Sequence, residues 1–493
     1  MSAETGEGSG RGPMADSENQ SRMGTGVIGV SQEARVYALE ELSRRAGLGS
    51  EELLSPWRIR QAPGGDISLE SMAAPGSPRI LFPTFNGELN ADYVVRKSWP
   101  VEARDTAAGC VPDFVVPFAR RESIAAQPLF LASATGEFQC TEDLLASTVL
   151  VLSRFEEIHA AARDEHGRFP SARSLAARDN YLDRPIVDEY GLALERVLVT
   201  LDPGFHSGER KLRVKVSHDV DLVGIPFSIR ETAMQLVARR NPGTALRDFF
   251  SFTGSEPGSL RQVMEICEET AARGLRSALY WKASQRSRFD SGYDIGDARI
   301  AKVIDWARLR SIEMGVHPGY GTYLHEDELR SEIERCRRAI GCDRPGGRQH
   351  YLRWSPATWE HWEQCGLAYD SSVGYADCAG FRAGTSVPYR PWLWNKNRRA
   401  ELLEVPLILM DRTLVSKDYM GLSREGSLST VKGLMCKCAA VGGVLTLLWH
   451  NNCLGWPYSA HFSRILDELA GEENYDWEAD LKDQQTSTAL LRG

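Results

Sequence analysis

From Lys211 to about Leu469 the chain alternates short apolar runs with longer amphipathic stretches, and this restricts the fold more than any other feature. The apolar runs, 212–216, 277–282, 313–317, 351–354, 402–409 and 444–449, read as strands. The stretches between or after them, 260–273, 298–310, 327–340, 356–365, 428–441 and 461–469, have helical spacing. Such repetition predicts parallel strands joined by crossover helices, an α/β fold. A segment of about 265 residues is the size of one (β/α) barrel. Residues 223–257 break the rhythm and read as an insertion over the barrel mouth.

The preceding half has a different texture. Residues 30–205 read as a smaller α+β domain. A helix is predicted over 32–46, strands over 79–82 and 113–116, and a long helix over 141–163 with Thr141 as its cap. Pro185 opens a further helix over 186–201. No catalytic constellation stands out here, so a structural or substrate-shaping role is expected. The barrel is bounded at 211–471, and the polar, acidic residues 472–493 read as a loosely held tail.

Hydrophobic residues at 42% and charged residues at 25% are those of an ordinary globular protein. A net charge of −9 without a Lys/Arg-rich tract argues against nucleic acid as a partner. No apolar run approaches the ~20 residues that span a membrane. Residues 1–29 are polar and Gly-rich, lack a basic start followed by an apolar stretch, and read as a disordered leader rather than a secretory signal. Met14 and Met23 offer alternative starts within it. The 10 cysteines include no C-x-x-C pair, so neither a disulfide framework nor a zinc ribbon is expected. Cys436-Lys437-Cys438 is read as buried free thiols on a helix. A reducing, cytoplasmic setting follows.

Polar clusters recur where predicted strands end, which is where α/β folds present functional groups. The first is Ser217-His218-Asp219-Val220-Asp221. Two carboxylates so spaced can divide the labour, one holding a metal and the other taking a proton from the attacking water. They share a face only if the strand stays extended past Val220. His317 follows an apolar run and precedes Pro318-Gly319-Tyr320; neutral imidazole is a good zinc ligand. Arg348-Gln349-His350-Tyr351 offers an Arg to steady a buried carboxylate, and Asp370-Ser371-Ser372 a carboxylate to orient a histidine. His450 ends the run Val444–Trp449, a suitable place for a catalytic acid.

In this order the clusters resemble the motifs of the polysaccharide deacetylase superfamily, the family 4 carbohydrate esterases. The resemblance covers about 211–467. The N-terminal region is similar to the domain that precedes the barrel in a bacterial subgroup of such proteins. The family's T-F-D-D is matched by Ser217-His218-Asp219-Val220-Asp221, which implies Asp219 as base and Asp221 as metal ligand. His317 matches the first histidine of H-S/T-x-x-H. Arg348-Gln349-His350-Tyr351 resembles R-x-P-Y, which implies Arg348 as the group steadying the base and the Tyr351 N–H as an oxyanion donor. Asp370-Ser371-Ser372 resembles D-S-x-x-W without its Trp, and Leu448-Trp449-His450 matches L-x-H, which implies His450 as general acid oriented by Asp370.

The resemblance implies a distorted (β/α) barrel and a divalent metal, usually zinc. The chain departs from it at Gly321, where the family has its second metal histidine. His325 is the candidate replacement, with His218 and His350 as others. Trp449 and Tyr320 are candidates for contacting substrate, and the loop 381–392 for lining its cleft. The implied reaction is metal-dependent removal of an N-acetyl or other acyl group from an amino sugar or related amine. A small cytoplasmic metabolite or nucleotide sugar as substrate, or a degenerate barrel serving as a binding protein, are the alternatives. Oligomeric state is left open.

Overall fold

The fold is that of a computed structural model, which describes residues 29–48, 56–62, 64–73, 77–85, 89, 93–98, 113–119, 123, 127–223, 258–453 and 459–492. The expected leader, save its last residue, and the expected insertion beyond Val223 lie outside the described residues.

Seven short strands carry the C-terminal half: β1 (Arg213–Val220), β2 (Ser277–Trp281), β3 (Glu313–Val316), β4 (Tyr369–Asp370), β5 (Leu403–Glu404), β6 (Leu409–Met410) and β7 (Val444–Leu448). β6, β7, β1, β2 and β3 lie side by side in that order, all parallel. Single parallel bridges, Val316 to Gly347 and Gly347 to Asp370, lead on to β4, which pairs with β5. Among the described residues no ladder joins β5 to β6, so the expected barrel is present as an open run of parallel strands. β2 and β7 are buried along their whole length, as both-faces-covered parallel strands are.

Gly347 is needed for this geometry. A Cβ there would stand 2.0 Å from the Val316 carbonyl oxygen, so any other residue would force the chain out from between β3 and β4. The residue delivered by that close approach is Arg348.

Two strand expectations fail for backbone reasons. Residues 351–354 are not extended: Tyr351 and Leu352 have φ of 62° and 56°, inside a short 3₁₀ turn, His350–Leu352. The run 402–409 is split into β5 and β6 around Pro406, which has no N–H to give a ladder. The tail is also not loose. Glu473–Asn474 pairs with the start of β1, and the helix Trp477–Arg492 buries Leu481, Gln484, Ser487 and Leu491. Cys438 is buried as expected on the helix Arg424–Val441, whereas Cys436 is exposed.

In the N-terminal half, a five-stranded sheet runs in the order Trp57–Gln61, Ile67–Ser71, Arg79–Phe82, Phe138–Cys140, Phe130–Ala132. The helices Gln32–Arg45, Leu144–Leu152 and Ile186–Leu201 pack together beside it. The expected helix over 141–163 is capped by Asp143 rather than Thr141 and broken at Arg154, whose φ is 56°. The loop 381–392 does not line the cavity at the carboxyl ends of the parallel strands. It meets this half instead: Glu157 takes two hydrogen bonds from Arg382, at 2.9 and 2.5 Å, and Asp188 accepts the Ser386 N–H at 2.7 Å. Apolar residues of both halves belong to one continuous core.

Candidate active site

The carboxyl ends of β1, β2, β3, β6 and β7 open on one cavity of about 220 Å³. β1 stays extended through Val220, so its side chains alternate. Ser217, Asp219 and Asp221 share one side. His218 takes the other, with Nδ1 2.8 Å from the Trp449 carbonyl and Nε2 3.2 Å from Ser277 Oγ. It is fully buried in the core, and burial lowers its pKa to about 4.

Arg348 reaches under Asp219. Nη1 donates to Asp219 Oδ1 at 2.9 Å and to Ser217 Oγ at 3.0 Å, while Nε and Nη2 are tied to the Ser371 carbonyl and hydroxyl at 2.9 and 3.0 Å. Four hydrogen bonds on a side chain only 1% exposed leave the guanidinium one orientation, and it fixes that of Asp219.

Asp221, His317 and His350 place one donor atom each within 4.8 Å of one another. His317 Nδ1 lies 2.7 Å from the Arg348 carbonyl, which can only accept, so Nδ1 carries the proton and Nε2 a lone pair. That Nε2 is 3.3 Å from Asp221 Oδ1, and both atoms are buried with no hydrogen-bond partner. Two adjacent buried lone pairs are costly unless a cation stands between them. His350 Nδ1 is 2.7 Å from Asp290 Oδ1 and 2.8 Å from Lys282 Nζ, and its Nε2 is 3.4 Å from Asp221 Oδ1. Burial, above all, lowers His350 to about 4, so the ring is neutral at pH 7. Burial raises Asp221, but His350, His317 and Lys282 outweigh it and hold the carboxyl well below its usual range. The donor set therefore fits a divalent metal. Lys282 Nζ stands beside it, 3.0 Å from Asp290 Oδ1 and 3.1 Å from His350 Nε2.

His450 faces this group with Nε2 3.8 Å from Asp221 Oδ2. Its Nδ1 is 2.8 Å from Asp411 Oδ1, and its backbone N–H donates to Asp411 Oδ2 at 2.8 Å. Burial would lower its pKa, but Asp411 and then Asp221 prevail and raise it to about 9.

Thus Asp219, Asp221, His317, Arg348, Tyr351 and His450 are gathered as the sequence suggests, and four expected residues are not. His325 is exposed ahead of the helix Glu326–Ile340, and His350 is the histidine that converges with Asp221 and His317. Asp370 does not orient His450: its carboxyl accepts the Ser372 N–H at 2.9 Å, and burial pushes it up to about 7. Trp449 is 0% exposed, with Nε1 3.3 Å from the Cys453 carbonyl, because the residue before a strand-end histidine points to the opposite face. Tyr320 stands one layer back, stacked on Phe289 at 4.2 Å, and Phe289 is the one that lines the cavity.

Lys282, Asp290 and Asp411 contact this group and are absent from the residues the sequence singles out. Lys282 and Asp411 each follow an apolar run directly, at the ends of β2 and β6, so the strand-end rule reaches them. Asp290 lies in an irregular stretch and has no such signal.

A sequence profile described as a family of unknown function (DUF7033) matches residues 100–203. No curated protein matches. Among solved structures, the chain is similar to a proposed polysaccharide deacetylase from Mycobacterium smegmatis, at 14% identity and a TM-score of 0.39, over 57% of this chain and 92% of that one. It is similar to the Puue allantoinase at 14% identity and a TM-score of 0.38, over 57% and 92%. It is similar to a family 4 carbohydrate esterase from Streptomyces lividans, in complex with acetate, at 14% identity and a TM-score of 0.27, over 52% and 88%. No helix among the described residues is long and apolar enough to cross a membrane.

Proposed function

We propose that the protein is a metal-assisted deacylase that hydrolyses the amide of an N-acylated amino sugar or related amine. The observation carrying this reading is the pair of unpartnered buried lone pairs, Asp221 Oδ1 and His317 Nε2, with His350 Nε2 beside them and the His450–Asp411 pair opposite. One carboxylate and two imidazoles form a zinc-type donor set. Asp221, His317 and His350 would hold the ion, which when bound would polarise the scissile carbonyl and acidify the attacking water.

The chain's own residues do the rest. Asp219, aimed by Arg348, accepts the proton of the attacking water. The Tyr351 N–H is assigned to the developing oxyanion, on a peptide whose left-handed φ re-aims the backbone at the cavity wall. His450, cationic near pH 7, gives its proton to the leaving nitrogen, and Asp411 stabilises the charged ring beforehand.

A cavity of about 220 Å³, walled on one side by Arg168 from the N-terminal half, favours a small acylated molecule over an extended polymer. The deciding experiment measures zinc and other divalent ions in the purified full-length protein together with acetate release from N-acetylated amino sugars. Stoichiometric metal, with activity lost to a chelator and regained on adding the ion back, is the expected result. A metal-free protein inert on every N-acetylated amine tested overturns the reading in favour of a binding protein.

A further inference from the structure

Four cationic side chains line the cavity: Arg168, Lys282, Arg412 and His450. Three have a carboxylate of their own. Arg168 Nε is 2.7 Å from Asp164 Oδ2, Lys282 Nζ is 3.0 Å from Asp290 Oδ1, and His450 Nδ1 is 2.8 Å from Asp411 Oδ1. Arg412 has none: among the described residues no carboxylate oxygen lies within ion-pair distance of its guanidinium, which sits on the exposed side of the cavity. Asp411 and Asp221 act on it only from beyond ion-pair distance, and a cavity-lining cation with no ion pair of its own is placed to receive an anion from solution.

Arg168 complements it. Its two terminal nitrogens make only long bonds to neutral acceptors, 3.3 Å to the Tyr351 carbonyl and 3.3 Å to the Tyr419 hydroxyl. A guanidinium has five N–H donors, so two remain. The side chain is nonetheless held in place. Asp164 Oδ1 accepts the Arg168 and His166 N–H groups at 2.8 and 2.9 Å, which closes the loop around its own ion pair. The two arginines also converge. Both line the same cavity as Tyr351 and Tyr419, and Arg168 Nη1 is 3.3 Å from the Tyr351 carbonyl.

We propose that Arg412 and Arg168 form an anion-binding subsite beside the reacting centre, and that the substrate carries a carboxylate or phosphate seated there. This rests on the deacylase reading for the word substrate, not for the subsite. It also gives the N-terminal half a function: through Arg168 it selects charged acyl-amines. Arg is suited to this because its planar fork matches the geometry of both anions.

The test compares N-acetylglucosamine, N-acetylglucosamine 1-phosphate and N-acetylmuramic acid on the full-length protein, by hydrolysis and, separately, by calorimetric binding of the corresponding free amines. Charge-assisted hydrogen bonds of this kind are worth roughly ten- to a hundred-fold. At least one anionic compound should bind more tightly than the neutral one by about that factor, and the stronger of the two distinguishes phosphate from carboxylate. Arg412→Gln should collapse that ratio, with Arg168→Gln as the second variant, and the preference should fall with added salt. Equal binding of all three, or a ratio unchanged in both variants, overturns the subsite even if hydrolysis is observed. An anion preference without any hydrolysis would sustain the subsite and sink the deacylase reading.

Discussion

Asp411 grips His450 with both oxygens: Oδ1 is 2.8 Å from Nδ1, and Oδ2 accepts the backbone N–H of the same residue at 2.8 Å. A carboxylate that binds both the ring and the main chain of a histidine fixes the ring's tautomer and its direction together. Nε2 is then the atom presented to the cavity, and it carries a proton near pH 7.

That relationship predicts a titration. In metal-free protein, NMR should find His450 titrating near 9, against the ordinary 6.5. Because the folded-state pKa is raised, the pair's stabilisation is complete below pH 6.5 and is lost as pH rises from there through about 9. Thermal unfolding should show a decline across that window. Asp411→Asn removes the carboxylate, so the His450 pKa falls, the window narrows, and turnover drops by about a hundred-fold or more. An unshifted His450 in that variant would refute the coupling.

The ligand set predicts a sharp contrast among three histidines. His317→Ala and His350→Ala should each bind metal far more weakly, and elemental analysis of dialysed protein should show the loss. His325→Ala should retain its metal, because His325 is exposed and lies outside the group that converges on Asp221. Asp290→Asn, one step back from His350, should weaken metal binding by about ten- to a hundred-fold. Metal retained by His350→Ala would remove it from the site.

Most of the parallel sheet and half of the site were legible because they obey simple periodicities. β1, β2, β3 and β7 fall on the runs read as strands, and the carboxyl end of each delivers a cavity residue: Asp219, Lys282, His317, His450. The alternation along β1 separates Asp219 from His218 as soon as the strand is known to continue past Val220. What was not legible depends on residues far apart in sequence. His350 lies 33 residues beyond His317, and the gap left at Gly321 is filled by a turn in which Tyr351 takes a φ of 62°. No local pattern announces that. Asp370 misled for a related reason. Its strand-end position resembles that of an orienting acid, yet the strand that supplies the acid is β6, which lies next to β7, whereas β4 lies beyond β3 at the far end of the sheet.

Asp219 and Arg348 predict a loss of rate without a loss of metal. Asp219→Asn keeps the side chain's size and its hydrogen bond from Arg348 but cannot take a proton. Its kcat should fall by about a hundred- to ten-thousand-fold while metal content stays stoichiometric. Arg348→Met removes the one bond by which Arg348 holds Asp219 in place, and should lower kcat further than KM changes, since the base is misaimed rather than the substrate released. Full activity in either variant would exclude Asp219 as base.

The junction of the two halves predicts a stability effect remote from the chemistry. Glu157 is 2% exposed and receives hydrogen bonds from Arg154 at 2.8 Å and from Arg382 at 2.9 and 2.5 Å. Burial works against its charge, yet the two guanidinium groups hold its pKa at about 2. Because the folded pKa is depressed, its stabilisation is present above about pH 4.5 and is lost only as pH falls towards 2. Glu157→Ala leaves the buried Arg382 without its carboxylate and Arg154 with only Glu156, 3.9 Å away, which costs about 3–5 kcal/mol, whereas Glu157→Gln keeps hydrogen-bond acceptance and should cost less. Urea unfolding at neutral pH measures both. Arg168 is carried on the segment that follows Glu157, so Glu157→Ala should also weaken binding of the anionic sugar more than that of the neutral one. If the alanine variant unfolds at the same urea concentration as the wild type, the Glu157–Arg382 pair contributes nothing to holding the two halves together.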